Sequence, residues 1–292
     1  MAQERSTRVI LVGNQKGGVG KTTNTVHIAA ALAERGRLCL IWDLDMNCNA
    51  TKQFDVPPES FLGTFEVLIG EEKAADVILR PGEVERVDLP ENVHLIPSKR
   101  KLEAIGQVLA ERDKFQALQD ILLEPIRTLC GHYDYILLDT APNATVPTVA
   151  AYKAADFIIL SALPEPWAVE GLGDAMRDIQ AAQRRGNEKL RLLGVVLSSV
   201  DKRTRLATAL SDYVERAFGS AKFRTTISRS TVVPAAQKER RTVFQSDPSH
   251  PVAQQYRDLA QEIEIRVAEL SREAQPALAL AESEEVKEVA NG

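Results

Sequence analysis

The sequence predicts an α/β fold: a doubly wound, mostly parallel sheet with helices on both faces. Three observations predict it. Short aliphatic runs alternate with segments whose apolar residues recur every three or four positions. A glycine-rich turn, Lys16-Gly17-Gly18-Val19-Gly20-Lys21, joins the first run to the first such segment. At 292 residues, 44% apolar and 26% charged, the chain can bury a sizeable core, and with only 5% aromatics that core must be mostly aliphatic.

The elements follow in order. Residues 8–13 form an aliphatic run ending at Gly13, read as a buried parallel strand. A helix is expected over 22–35, favoured by Ala29, Ala30, Leu32 and Ala33 and stopped at Gly36. The run 38–43 is a second buried strand, which closes a right-handed βαβ unit. Further strands are expected at 93–97, 135–139, 157–160 and 190–197. Apolar stripes mark helices at Leu102, Ile105 and Leu109, at Val169, Leu172, Met176 and Ile179, and at Leu206, Leu210, Val214 and Phe218. The last helix spans 249–270 with the stripe Val252, Tyr256, Leu259, Ile263, Val267 and Leu270. Nothing in the chain repeats, and no linker divides it, so 1–270 is expected to be one domain. The acidic tail 271–292, interrupted by Pro276, is expected to be disordered or loosely helical.

Charge and cysteines narrow the class. The net charge is −5, but residues 184–241 hold 14 Lys/Arg against 5 Asp/Glu, leaving the rest of the chain at −14. A basic block in an acidic protein points to a polyanion partner, with a solvated face as the alternative. Cys39, Cys48 and Cys130 are odd in number and form no close pair, which argues against a disulfide scaffold or zinc ribbon and for a reducing compartment. No signal peptide or apolar span of roughly 20 residues is present, so a cytoplasmic protein without a membrane partner is expected.

The segment from Gly13 to Thr23 lies between a strand and a helix, where a phosphate loop belongs. Glycines let the backbone turn and aim N–H groups at phosphate oxygens, and the helix N-terminus adds positive potential. Gly17, Gly18, Val19, Gly20, Lys21, Thr22 and Thr23 are the candidate nucleotide-binding residues, with Lys21 placed to reach the β- and γ-phosphates and Thr22 to bind Mg²⁺. Asp139 ends an aliphatic run in the manner of a carboxylate that holds magnesium through water, and Asp45 follows the second strand. The C-terminal ends of strands are where open α/β sheets place ligands. Each aspartate has a structural alternative as a helix cap or loop filler.

These residues resemble a known family. Lys16-Gly17-Gly18-Val19-Gly20-Lys21-Thr22-Thr23 carries an extra lysine before the glycines and is similar to the deviant Walker A motif of the ParA/MinD group of P-loop ATPases. Asn14-Gln15, Asp43-Leu44-Asp45, Asp139-Thr140-Ala141-Pro142, the block 164–172, Asp201-Lys202-Arg203-Thr204 and Ile227-Ser228-Arg229-Ser230 resemble further ParA motifs, so the likeness spans about residues 8–270. It departs at Met46-Asn47-Cys48, where the family usually carries Pro-Gln-Gly, and at Ser228 and Ser230, where Pro and Asn are usual.

The resemblance implies that ATP and Mg²⁺ bind at Lys21, Thr22 and the loop amides, with Asp139 and Asp45 at the metal. It implies a homodimer in which Lys16 of each copy reaches the other's nucleotide, and it makes Lys16, Lys21 and Asp45 the catalytic set, with Asp45 orienting the attacking water. It implies that the closed dimer binds non-specific DNA on the nucleoid through Arg203, Arg224 and Arg229. A ParB-like protein or cargo adaptor would stimulate hydrolysis and release it. The expected role is DNA segregation or positioning of another cargo. A MinD-like membrane role is disfavoured by the acidic tail, which is unlike a basic amphipathic anchor. A metabolic role is disfavoured because Cys130 lacks a partner for an iron–sulfur cluster and His27, His94, His132 and His250 show no ligand spacing. The roughly dozen residues before the phosphate loop leave no room for an operator-reading helix-turn-helix region, so no sequence-specific repressor role is expected.

Overall fold

Six strands form the centre of the molecule in the order β3-β2-β4-β1-β5-β6. The computed structural model describes residues 5–111 and 118–290, and for 274–290 the backbone alone. The strands are β1 (Arg8–Gly13), β2 (Cys39–Leu44), β3 (Val93–Ile96), β4 (Tyr135–Thr140), β5 (Phe157–Ala162) and β6 (Arg191–Leu197). Every neighbouring pair is parallel. The helices are α1 (Lys21–Glu34), α2 (Asn49–Gln53), α3 (Thr64–Leu68), α4 (Ile105–Glu111), α5 (Leu123–Leu129), α6 (Val146–Ala154), α7 (Ala168–Arg184), α8 (Arg205–Phe218), α9 (Val232–Lys238), α10 (Val243–Ser246) and α11 (Pro251–Ala290).

Successive strand residues face opposite sides of the sheet, and each side has its own core. Leu11, Leu138, Ile158 and Leu160 meet Ile126, Ala151, Leu172 and Leu210 from α5, α6, α7 and α8. Ile10, Leu137 and Ile159 meet Ile28 and Leu32 from α1 and Tyr256 and Ile263 from α11. Burial of each large aliphatic side chain contributes about 1.5–3 kcal/mol. Because both faces are covered, the strands read as continuous apolar runs rather than alternating ones.

Several boundaries and faces differ from the expected ones. β2 starts at Cys39, one residue after the expected start: the Leu38 N–H donates to the Asp134 carboxylate (2.7 Å) and its carbonyl accepts from the Asp134 N–H (2.9 Å). Val169 and Leu206 are 42% and 43% exposed rather than part of the buried stripes. Each is the second residue of its helix and faces outward, whereas Ala168 and Ala207 in the same first turns are buried. At α8 that first turn is fixed by Thr204, whose hydroxyl accepts from the Ala207 N–H. The stripe of α11 is buried from Val252 to Val267, and Leu270 is half-buried. The helix continues through Pro276 to Ala290, past the expected end at Leu270. The Ala, Leu and Glu residues there are strong helix formers, and Pro276 removes one N–H donor without ending the run. Residues 1–4 and the tail side chains from 274 onward lie outside what is described.

The sheet order matters for the site. β1 lies between β4 and β5, and β4 lies between β1 and β2. In register, Asp139 of β4 is opposite Val12 of β1 on one side and Asp43 of β2 on the other. The C-terminal ends of β1, β2 and β4 therefore converge where the phosphate loop leaves β1.

Candidate functional site

The loop from Asn14 to Gly20 turns back on itself before α1 begins at Lys21. Gly18 (φ +76°) and Gly20 (φ +81°) take left-handed backbone conformations. A side chain at either would cost about 1–2 kcal/mol. Gly171 on α7 lets that helix approach the loop: a Cβ there would lie 3.1 Å from Asn14 Oδ1 and 3.6 Å from Lys16 Cβ. The Asn14 side chain braces the loop from within, its Oδ1 accepting from the Lys16 N–H (2.9 Å) and its Nδ2 donating to the Ser161 carbonyl (2.8 Å).

Lys21 is buried, and its Nζ donates to the Lys16 carbonyl (3.1 Å). Burial lowers its pKa, and the nearby Asp139 and Asp45 carboxylates oppose that shift. The Thr22 hydroxyl donates to Asp139 Oδ2 (2.8 Å). Asp139 is fully buried, and desolvation, with Asp43 close by, pushes its carboxyl up to about 8. Asp43 is also raised by burial, to about 6, against the Thr51 hydroxyl and N–H that donate to it. Buried carboxylates crowded in this way favour a bound cation. Among the described residues no three ligating side chains of His, Cys, Asp or Glu converge. Mg²⁺ keeps most of its shell as water and phosphate and takes one or two protein ligands. The adjacent Thr22 hydroxyl and Asp139 carboxylate fit that demand.

A cleft of about 550 Å³ opens over the loop. It is lined by Gly17 to Thr23, Asp45, Asn47, Asn49, Lys52, Gln53, Thr140, Pro142, Gln237 and Arg240. The structure thus brings together all the expected phosphate-loop residues except Lys16, with Asp45 facing them and Asp139 beneath. Lys16 is turned aside: its Nζ donates to Glu165 Oε2 (3.0 Å) and to the Pro166 carbonyl (2.9 Å), and it is not among the residues lining its own chain's cleft.

Sequence reasoning missed the far wall. Gln237 of α9 donates through Nε2 to the Thr23 hydroxyl (2.9 Å), and Arg240 donates through Nη1 to the Lys52 carbonyl (2.9 Å). Their inclusion in the basic block 184–241 was the only signal pointing to them. Also missed was a buried hub at Asn24. Its Nδ2 donates to the Ser161 (2.8 Å) and Ser198 (3.0 Å) hydroxyls, and its Oδ1 accepts from the Tyr256 hydroxyl (3.0 Å). Ser161 in turn donates to the Val19 carbonyl (2.6 Å), which ties the phosphate loop to β5, β6 and α11.

The three candidate DNA-contacting arginines are exposed and lie away from the cleft. Arg203 and Arg229 are neighbours, because the Arg229 N–H donates to the Val200 carbonyl (3.0 Å). The Arg203 guanidinium, with Arg229 nearby, holds the Asp201 carboxyl down to about 2. Arg224 lies further along the same segment, where its N–H donates to Glu262 of α11 (2.9 Å).

A parallel sheet with a glycine-rich loop after its central strand, a buried lysine and a Thr–Asp pair beneath the cleft defines a P-loop ATPase. The family model described as "AAA domain" matches residues 7–192. The chromosome-partitioning ATPase Soj of Thermus thermophilus is 33% identical over 262 residues, covering 90% of this chain and 97% of that protein. The chromosome partitioning protein ParA of Caulobacter vibrioides is 31% identical, covering 92% and 98%. Among solved structures, a cobyrinic acid a,c-diamide synthase from Mycobacterium smegmatis, with a bound ATP analogue and magnesium, superposes with a TM-score of 0.74 at 27% identity, covering 87% and 93%. The chain belongs to the ParA/Soj family of ATPases.

Proposed function

We propose that the protein is a partition-type ATPase: ATP closes two copies into a dimer that binds DNA without sequence preference, and hydrolysis, stimulated by a ParB-like protein or cargo adaptor, releases it. The observation that carries this reading is the combination, in one chain, of a complete phosphate-loop cleft and an exposed basic surface at Arg203 and Arg229. Phosphate contacts from exposed arginines give affinity without base readout. The relatives' names, chromosome partitioning in both bacterial proteins, support the same role. It places the protein in the cytoplasm on the nucleoid, and no helix among the described residues is long and apolar enough to cross a membrane. Residues 1–270 would act as one ATPase domain, with 271–292 as an appendage.

In this reading the loop amides from Gly17 to Thr23 and the Lys21 ammonium hold the β- and γ-phosphates. Thr22 and Asp139 would hold Mg²⁺, with Asp45 close by; bound there, the ion would neutralise phosphate charge. Asp45 orients the attacking water. Lys16, facing away from its own cleft, is available to a second copy's nucleotide once it leaves Glu165. Lys21→Ala is expected to lose ATP affinity, and Asp45→Ala to keep affinity but lose turnover by a factor of 100 or more, on the order of 3 kcal/mol of barrier. Equilibrium binding of a fluorescent ATP analogue and phosphate-release kinetics test both. Normal ATP affinity in Lys21→Ala, or full turnover in Asp45→Ala, would contradict the assigned roles.

A second reading, ATP-driven amide synthesis, draws on the likeness to the cobyrinic acid a,c-diamide synthase structure. It predicts ATP use that depends on an acid substrate and an amine donor and is indifferent to DNA.

A further inference from the structure

We propose that Asn47 is a positioning residue for ATP hydrolysis, holding the Asp45 carboxylate in one orientation, with Lys52 and Arg240 bracing Asn47 from the far wall of the cleft. This rests on the reading of Asp45 as the group that orients the attacking water.

Asp45 opens a tight turn closed by the Cys48 N–H donating to the Asp45 carbonyl (2.9 Å). Cys48 then takes a left-handed conformation (φ +56°), where glycine is ordinarily favoured. This turn folds Asn47 back over Asp45, so that Asp45 Oδ1 accepts from both the Asn47 N–H (2.9 Å) and Asn47 Nδ2 (3.0 Å). Oδ2 accepts no hydrogen bond among the described residues and is the oxygen left for a water in the cleft that Asp45 lines. Two donors on one oxygen restrict both side-chain torsions of the aspartate.

The clamp is itself held. The Asn47 carbonyl accepts from Lys52 Nζ (2.7 Å), and the Lys52 carbonyl accepts from Arg240 Nη1 (2.9 Å). Arg240 is also in a left-handed conformation (φ +62°), which persists only where the surroundings enforce it. Here they do: the Arg241 N–H donates to the Ala236 carbonyl (2.9 Å), and the Arg241 carbonyl accepts from Gln53 Nε2 (2.7 Å). Asn47, Lys52, Gln53 and Arg240 all line the cleft, so the chain of bonds runs along its wall to Asp45. Hydrogen-bonded positioning of this kind acts on the chemical step and not on nucleotide affinity.

Asn47 is exposed, so its replacement should not disturb folding, which a thermal melt would confirm. In single-turnover measurements, Asn47→Ala should hydrolyse ATP roughly tenfold more slowly. Affinity for an ATP analogue should stay within about twofold. Asn47→Gln, which keeps the amide, should recover most of the rate. On an Asp45→Ala background, Asn47→Ala should cost nothing more, because its effect passes through Asp45. An unchanged rate in Asn47→Ala while Asp45→Ala is inactive would overturn the proposal and leave the role of Asp45 intact. The same fold loss on both backgrounds, or a loss confined to affinity, would also overturn it. Full turnover in Asp45→Ala alone would remove the role of Asp45, and the clamp's with it.

Discussion

His27 lies nearly two turns into α1 and shows how a single buried residue can set a pH limit on this fold. Its Nε2 accepts from the Val243 N–H (3.2 Å), so the ring proton sits on Nδ1, which donates to the Thr23 carbonyl (2.8 Å). Tyr256 stacks on the ring at 4.8 Å. Burial lowers its pKa to about 4, so the folded state holds the ring neutral. The unfolded chain takes up that proton near pH 6.5. Between about pH 6.5 and 4 the unfolded state therefore binds more protons, and stability falls as the pH drops through that window. His27 should account for a loss of about 2 kcal/mol between pH 7 and pH 5. A nuclear magnetic resonance titration should show its imidazole still neutral at pH 5; titration near pH 6.5 would contradict this account. At this scale the sequence was a partial guide. It excluded His27 as a metal ligand by spacing, but its stacking partner is far away in the chain. The positions of Thr22, Lys21 and Asp139 were legible because they stand at strand and helix ends, which the aliphatic runs reveal.

Elements differ in how much of themselves they print in the chain. The strands and the longer helices α1, α7, α8 and α11 carry apolar patterns long enough to read. Helices α2, α9 and α10 span only four to seven residues, with no period to detect, yet α2 and α9 supply the cleft's far wall. That is why Lys52, Gln237 and Arg240 were absent from the expected site while the phosphate loop, contiguous from Gly13 to Thr23, was present. The same scale decides the basic surface. The β6–α8 connection and the strand-like segment after it are bridged at Val200 and Ser228, which brings Arg203 and Arg229 together. Arg224 sits apart, beside Glu262. Arg229→Ala is therefore expected to weaken DNA binding evenly across sequences and to lower the slope of log affinity against log salt by about 1. Arg224→Ala should have the smaller effect, because Arg224 stands apart from the Arg203 and Arg229 pair. Affinities measured over a series of salt concentrations check both, and a salt-independent Arg229→Ala effect would rule out a phosphate contact.

At the scale of the whole molecule, the cleft and the basic surface are two sites on one body, and the buried Asn24 network lies between them. From Asn24 it reaches the phosphate loop through Ser161 and the end of β6 through Ser198, three residues before Asp201. Packed, hydrogen-bonded side chains therefore connect the phosphate loop to the chain segment that leads into Arg203. The sequence announced both sites, one as a motif and the other as a charge imbalance. It could not show this connection, because Asn24, Ser161, Ser198 and Tyr256 meet only when the sheet and α11 assemble. In the proposed function ATP governs DNA binding. The most direct test mixes the protein with random-sequence duplex DNA at one fixed salt concentration and compares ATP, ADP and no nucleotide. Binding is expected with ATP, and little or none with ADP or without nucleotide. Equal binding in all three conditions would contradict it, as would no binding in any of them while ATP is still hydrolysed.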